Sequence, residues 1–151
     1  MNVEGMTMMA VPEGWVRVPT QAFGTHVGPF YRPPGDGTLE CGFLADKRHG
    51  NKRGVVHGGM LATAFDVGLG NASWAAAGQR PSATVQLGIQ YIGALQLGEF
   101  AHIRAEIIKT TRTLVFIRGV MSVDDRVVAT ADGIWKILAW RGDPFVPPPP
   151  L

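Results

Sequence analysis

Three observations in this 151-residue sequence predict an α+β fold in which a curved antiparallel β-sheet wraps one long central helix. From His57 to Ala77 the residues are almost all apolar or small, and Asp66 is the only formally charged one. Beyond Pro81 the hydrophobic period becomes two, with Val85, Leu87, Ile89 and Tyr91 alternating against Thr84, Gln86, Gly88 and Gln90. Further extended segments follow at short spacing, separated by Gly98 and by the Asp124-Asp125 turn. A helix apolar on nearly every side must be enclosed, and a sheet curled around it does so.

Turn formers dominate up to about Thr38, so only short strands fit there, near Val27–Tyr31 and Leu39–Leu44. The polar run from Asp46 to Gly54 carries Lys47, Arg48, Lys52 and Arg53 and reads as a surface loop. The helix follows, with Gly78 as its stop. Strands are expected over Glu99–Lys109, Thr113–Val123 and Val127–Leu138, giving three or four consecutive antiparallel strands. The run from Asp143 to Leu151, with its consecutive prolines, reads as a polyproline tail, loose or laid on the surface. Residues 1–151 are read as one domain with a core at about residues 20–139.

Composition excludes several function classes. Fourteen basic against twelve acidic residues leave a net charge of +2, too small a field to argue for a nucleic-acid partner. Cys41 is the only cysteine, so no intrachain disulfide forms and a thiolate zinc site lacks ligands. His26, His49, His57 and His102 show no metal-ligand spacing, so no metal is expected. No serine stands in a G-x-S-x-G elbow. No Lys or Arg precedes Arg17, as a signal peptide would need, and the uncharged stretch Pro81 to Gly98 is broken by glutamines and glycines. The expectation is a soluble, cytoplasmic protein with no membrane partner.

The segment from Asn51 to Asp66 carries the chemistry. Asp66 stands among Phe65, Val67 and Leu69, where desolvation penalises an ionised carboxylate. It is either a structural carboxylate with a distant partner or a general base or nucleophile. Gly58 and Gly59 open the helix without side chains, so their N–H groups can face a ligand oxygen with the helix dipole behind them. The plainer alternative is a tight loop-to-helix turn. Asn51 adds an uncharged amide donor, while His57 can donate a proton, orient Asn51 or cap the helix.

Gly58 and Asp66 are eight residues apart, about 12 Å along a helix axis. One reacting carbonyl cannot readily touch both in one chain. A two-fold homodimer with antiparallel helices would bring Gly58 of one subunit to Asp66 of the other, making the dimer part of the chemistry.

The pattern N-x(2)-G-x(2)-H-G-G-x(6)-D from Asn51 to Asp66, with the strand Thr84-Val85-Gln86-Leu87-Gly88-Ile89-Gln90-Tyr91, resembles the hotdog-fold acyl-CoA thioesterases of the phenylacetyl-CoA thioesterase-like branch. The resemblance covers about residues 20–139 and implies the hotdog fold, a homodimer with a continuous sheet, and in some members a dimer of dimers. It implies hydrolysis of an aryl- or medium-chain acyl-CoA, with no cofactor beyond the coenzyme A of the substrate. Asp66 would activate water or attack the thioester carbonyl, Asn51 and the Gly58 amide would polarise that carbonyl, and Thr84 would position the water or the carboxylate. A thiolate leaving group, with a thiol pKa of about 8.5, scarcely needs protonation, which puts an orienting role for His57 ahead of acid catalysis. Around these, Gly59, Phe65, Leu69 and Trp74 are candidate substrate contacts, and Arg53 with Lys47, Arg48 and Lys52 is a candidate for the coenzyme A phosphates. The rival readings are an acyl-CoA hydratase or dehydratase and a non-catalytic acyl-CoA-binding hotdog protein.

Overall fold

The computed structural model describes residues 7–139, and the expected polyproline tail lies outside them. The turn-rich beginning yields short pieces: β1 (Val16–Arg17), α1 (Phe23–Val27), β2 (Phe30–Arg32) and β3 (Glu40–Leu44). Val27 ends the short helix α1 instead of opening a strand, and the extended piece starts at Phe30, just after Pro29. The long elements follow as α2 (Gly58–Ala76), β4 (Ser82–Tyr91), β5 (Phe100–Thr110), β6 (Leu114–Val123) and β7 (Arg126–Ile137). α2 stops where Gly78 takes a φ of +69°, a left-handed conformation that glycine adopts at little cost.

All strands join one antiparallel sheet in the order β1-β2-β3-β5-β6-β7-β4. β5, β6 and β7 form the expected meander, whereas β4 returns after the helix to the far side of β7. The helix therefore packs across the inner face of the sheet. Its residues Met60, Leu61, Ala64, Phe65, Gly68, Leu69, Ala72 and Ser73 recur at helical spacing and are buried there. Gly119 of β6 lets the helix come close, because a Cβ on it would lie 2.8 Å from Leu69 Cδ2 and 3.3 Å from Phe65 Cε1.

The opposite stripe of α2 is not enclosed. Gly59, Asp66 and Trp74 are exposed, and Ala62, Thr63, Val67, Gly70 and Asn71 are half-buried. Within the single chain the helix is therefore not buried on all sides, because one sheet, however curved, covers one side of a cylinder. Beside that stripe runs β4, whose only sheet neighbour among the described residues is β7. Val85, Tyr91 and the following Ile92 are exposed large hydrophobics along this edge. Among the described residues no helix is long and apolar enough to cross a membrane.

Candidate active site

Asp66 stands midway along α2 on the open stripe, and its Oδ1 accepts a 2.6 Å hydrogen bond from Thr84 Oγ1 of β4. A β-bulge produces this contact. Thr84 pairs with Trp135 of β7 and Gln86 with Ile134, which leaves Val85 as the extra residue. Strict alternation puts Thr84 and Tyr91 on opposite faces of the strand, but the bulge resets the phase. Thr84 therefore shares the helix-facing side with Leu87, Ile89 and Tyr91. Asp66 is exposed in the single chain, which corrects the expectation of a buried carboxylate. Among the described residues no Lys, Arg or His pairs with it, and Thr84 is its hydrogen-bond partner.

At the start of α2, His57 takes an extended conformation as N-cap, and its Nδ1 accepts from the Gly59 N–H at 2.8 Å. That bond consumes one of the two glycine amides expected to face a ligand, so Gly59 is not a free donor. The Gly58 N–H has no partner among the described residues. The carbonyl of its own peptide unit, on His57, accepts from Met60 N at 2.9 Å, which polarises the free N–H further. His57 thus caps the helix and makes no hydrogen bond to Asn51.

Asn51 braces the preceding loop. Its Oδ1 accepts from the backbone N–H groups of Arg53 at 2.8 Å and Val55 at 3.4 Å, and its own N–H donates to the Val55 carbonyl at 2.8 Å. With the oxygen committed, Nδ2 is the end of the amide left to meet a substrate oxygen. Buried His49 anchors the loop from below, accepting from Asp46 N at 3.0 Å and bonding the Val27 carbonyl at 2.8 Å. Its carbonyl accepts from His57 N at 2.7 Å, tying the loop to the helix cap.

The basic residues of the loop divide into two groups. Arg48 binds the Asp46 carboxylate at 2.7 Å and donates to the His26 and Gly28 carbonyls at 2.8 Å, so it is committed to the fold. Burial works against the Asp46 charge, yet Arg48 and His49 hold the carboxyl below the usual carboxylate range. Lys47, Lys52 and Arg53 are exposed and form no ion pair among the described residues. Phe65 and Leu69 are 0% exposed and packed against β6, so they belong to the core and offer no surface to a substrate in the single chain. Burial pushes the Cys41 thiol up to about 12, which leaves no thiolate for chemistry near neutral pH. Two concavities, of about 400 and 250 Å³, lie on the outer face of the sheet around Phe116, Arg118 and Asp132, away from Asp66 and Gly58.

The candidate groups thus fall in two places along a single continuous helix. The carboxylate with Thr84 stands at its middle, and the free Gly58 amide with the Asn51 loop at its start. Sequence reasoning assigned no role to Tyr91, whose hydroxyl reaches the Gly58 carbonyl at 3.2 Å. Its place at the end of the alternating strand was visible; its partner across the fold was not.

The family model of the thioesterase superfamily matches residues 53–130, just over half of the chain. A candidate esterase of Pseudomonas aeruginosa is 29% identical over 133 residues, covering 86% of this chain and 99% of that protein. Acyl-coenzyme A thioesterase 13 of Mus musculus is 33% identical over 78 residues, 52% of this chain and 56% of that protein. A hypothetical thioesterase protein of Streptococcus pneumoniae, crystallised with coenzyme A, superposes with a TM-score of 0.64 at 18% identity, over 91% of this chain and 98% of that one. The chain belongs to the thioesterase superfamily and is a hotdog-fold thioester hydrolase.

Proposed function

We propose that the protein hydrolyses an aryl- or medium-chain acyl-CoA to the free acid and coenzyme A, working as a homodimer in the cytoplasm. The observation that carries this reading is the exposed Asp66 carboxylate, aligned by Thr84 on the helix whose first amide, at Gly58, is free. In the reaction Asp66 takes a proton from water as the oxygen bonds to the thioester carbon, or attacks that carbon itself to form an anhydride that water then opens. On either route the carbonyl oxygen gathers negative charge, which the Gly58 N–H and Asn51 Nδ2 receive. The carbon–sulfur bond then breaks and coenzyme A leaves as its thiolate. Coenzyme A belongs to the substrate, and this chemistry asks for no other cofactor.

The homodimer is supported by the helix geometry and by the edge strand. The half-sites are eight residues apart on α2, about 12 Å along its axis. An edge unpaired among the described residues, with exposed Val85, Tyr91 and Ile92, is a template for a second strand. A partner pairing there would also cover the open stripe of α2, which explains why small and apolar residues occupy both sides of the helix. Arg53 and Lys52, exposed on the Asn51 turn, are suited to the coenzyme A phosphates.

Thiol release from a panel of aryl- and medium-chain acyl-CoAs tests the reading. Saturable turnover of at least one is the expected result; binding without thiol release, or a hydrated product, would contradict it. Thr84→Val keeps the side-chain shape and removes the hydroxyl that aligns Asp66. It is expected to lower kcat about tenfold, with the thermal midpoint near its wild-type value, in the same assay.

A further inference from the structure

An oxyanion donor is only as useful as its placement, and β4, which among the described residues of the chain pairs only with β7, runs beside the start of α2. Three side-chain hydrogen bonds link this strand to the helix. Ser82 meets Ser73 at 2.9 Å, Thr84 meets Asp66 at 2.6 Å, and Tyr91 meets the Gly58 carbonyl at 3.2 Å. The first lies toward the end of the helix, the second at the carboxylate and the third at the free amide.

The third link has two parts. The Tyr91 hydroxyl donates to a carbonyl of the first helical turn, which has a second lone pair beyond the one used within the helix. The ring edge packs against position 58, since a Cβ there would stand 3.3 Å from Tyr91 Cε1, a tight contact, and 3.5 Å from Cζ, an ordinary one. Glycine at this position therefore lets the ring sit close without crowding, as well as opening the helix. Tyr91 is 57% exposed in the single chain, so its ring is held here by Gly58 and not by the core of its own chain.

We propose that Tyr91 is a positioning residue for the reaction: its ring and hydroxyl fix where the Gly58 N–H points, so that the oxyanion donor is in place before the thioester arrives. This inference rests on the hydrolase reading of Asp66 and Gly58. It assigns one strand two tasks, because β4 aims the carboxylate through Thr84 and the amide through Tyr91. The bulge at Val85 gives both side chains the same helix-facing phase.

Tyr91→Phe and Tyr91→Ala separate hydroxyl from ring. With an acyl-CoA that the wild type hydrolyses, kcat is expected to fall about fivefold to tenfold in Tyr91→Phe and about 10²-fold in Tyr91→Ala, with KM within about twofold of wild type. In protein labelled with ¹⁵N at glycine, the Gly58 resonance should move and its amide exchange quicken in Tyr91→Phe, while the thermal midpoint stays unchanged. Full kcat with an unmoved Gly58 resonance in Tyr91→Phe overturns the proposal. A raised KM at constant kcat does so too, since it marks a substrate contact and not positioning. A wild type that releases no thiol from any acyl-CoA contradicts the functional reading instead, and the Gly58 resonance then still decides whether Tyr91 places the amide.

Discussion

Asp66→Asn is expected to lower thiol release from acyl-CoA by about 10²–10⁴-fold, the usual range for removing a positioned general base. The amide keeps the volume of the carboxylate, and its oxygen still accepts from Thr84, so the local geometry is retained. Asn can neither take a proton from water nor form an anhydride, and both routes through Asp66 are closed. Asp66 is exposed and has no cationic partner among the described residues, so no ion pair is broken by the change. The thermal midpoint should stay near wild type, and coenzyme A should bind as before. Asn51→Ala removes one of the two proposed oxyanion donors, with an expected loss of about 10²–10³ in rate. It also removes the acceptor that braces Arg53 N and Val55 N, so some of its effect will appear as a looser loop. Near-wild-type turnover in purified Asp66→Asn would contradict the assignment of the carboxylate.

The long elements were legible because each is written in a local pattern. The apolar run closed by Gly78 marks α2 to within one residue at either end, the period-two segment marks β4, and the extended segments set off by Gly98 and the Asp124-Asp125 turn mark β5 to β7. Other features depend on pairings between segments far apart in the chain. Thr84 faces the helix only because β4 meets Trp135 and Ile134 of β7 with one residue too many, and no count along the strand shows that. The openness of Asp66 was hidden for a related reason. Apolar residues all round a helix record that it is covered, but not whether its own chain or another one does the covering. His57 appeared able to act in several ways until its ring was seen to take the Gly59 amide. That bond leaves Gly58 as the single free amide of the pair. Phe65 and Leu69 look like pocket residues in sequence, beside a carboxylate on an apolar helix. The missing side chain of Gly119, fifty residues on from Leu69, draws them into the core instead.

The sharing of each site between two chains is tested most directly by mixing two damaged proteins. In a dimer of one Asn51→Ala chain and one Asp66→Asn chain, one site combines the intact Asp66 with its partner's intact Asn51 and Gly58, while the other site carries both lesions. Each parent alone has only damaged sites. If the two are unfolded together and refolded at equal concentration, random pairing makes about half of the dimers mixed, and half of the sites in these are whole. The predicted result is recovery of about a quarter of wild-type activity, well above either parent. As a control, a chain with both substitutions refolded with wild type gives mixed dimers whose sites each carry one lesion. Activity there should fall below that of the same amount of wild type refolded alone. If the first mixture stays inactive although native mass spectrometry shows mixed dimers, Asp66 works with Asn51 and Gly58 of its own chain, and the shared site is contradicted.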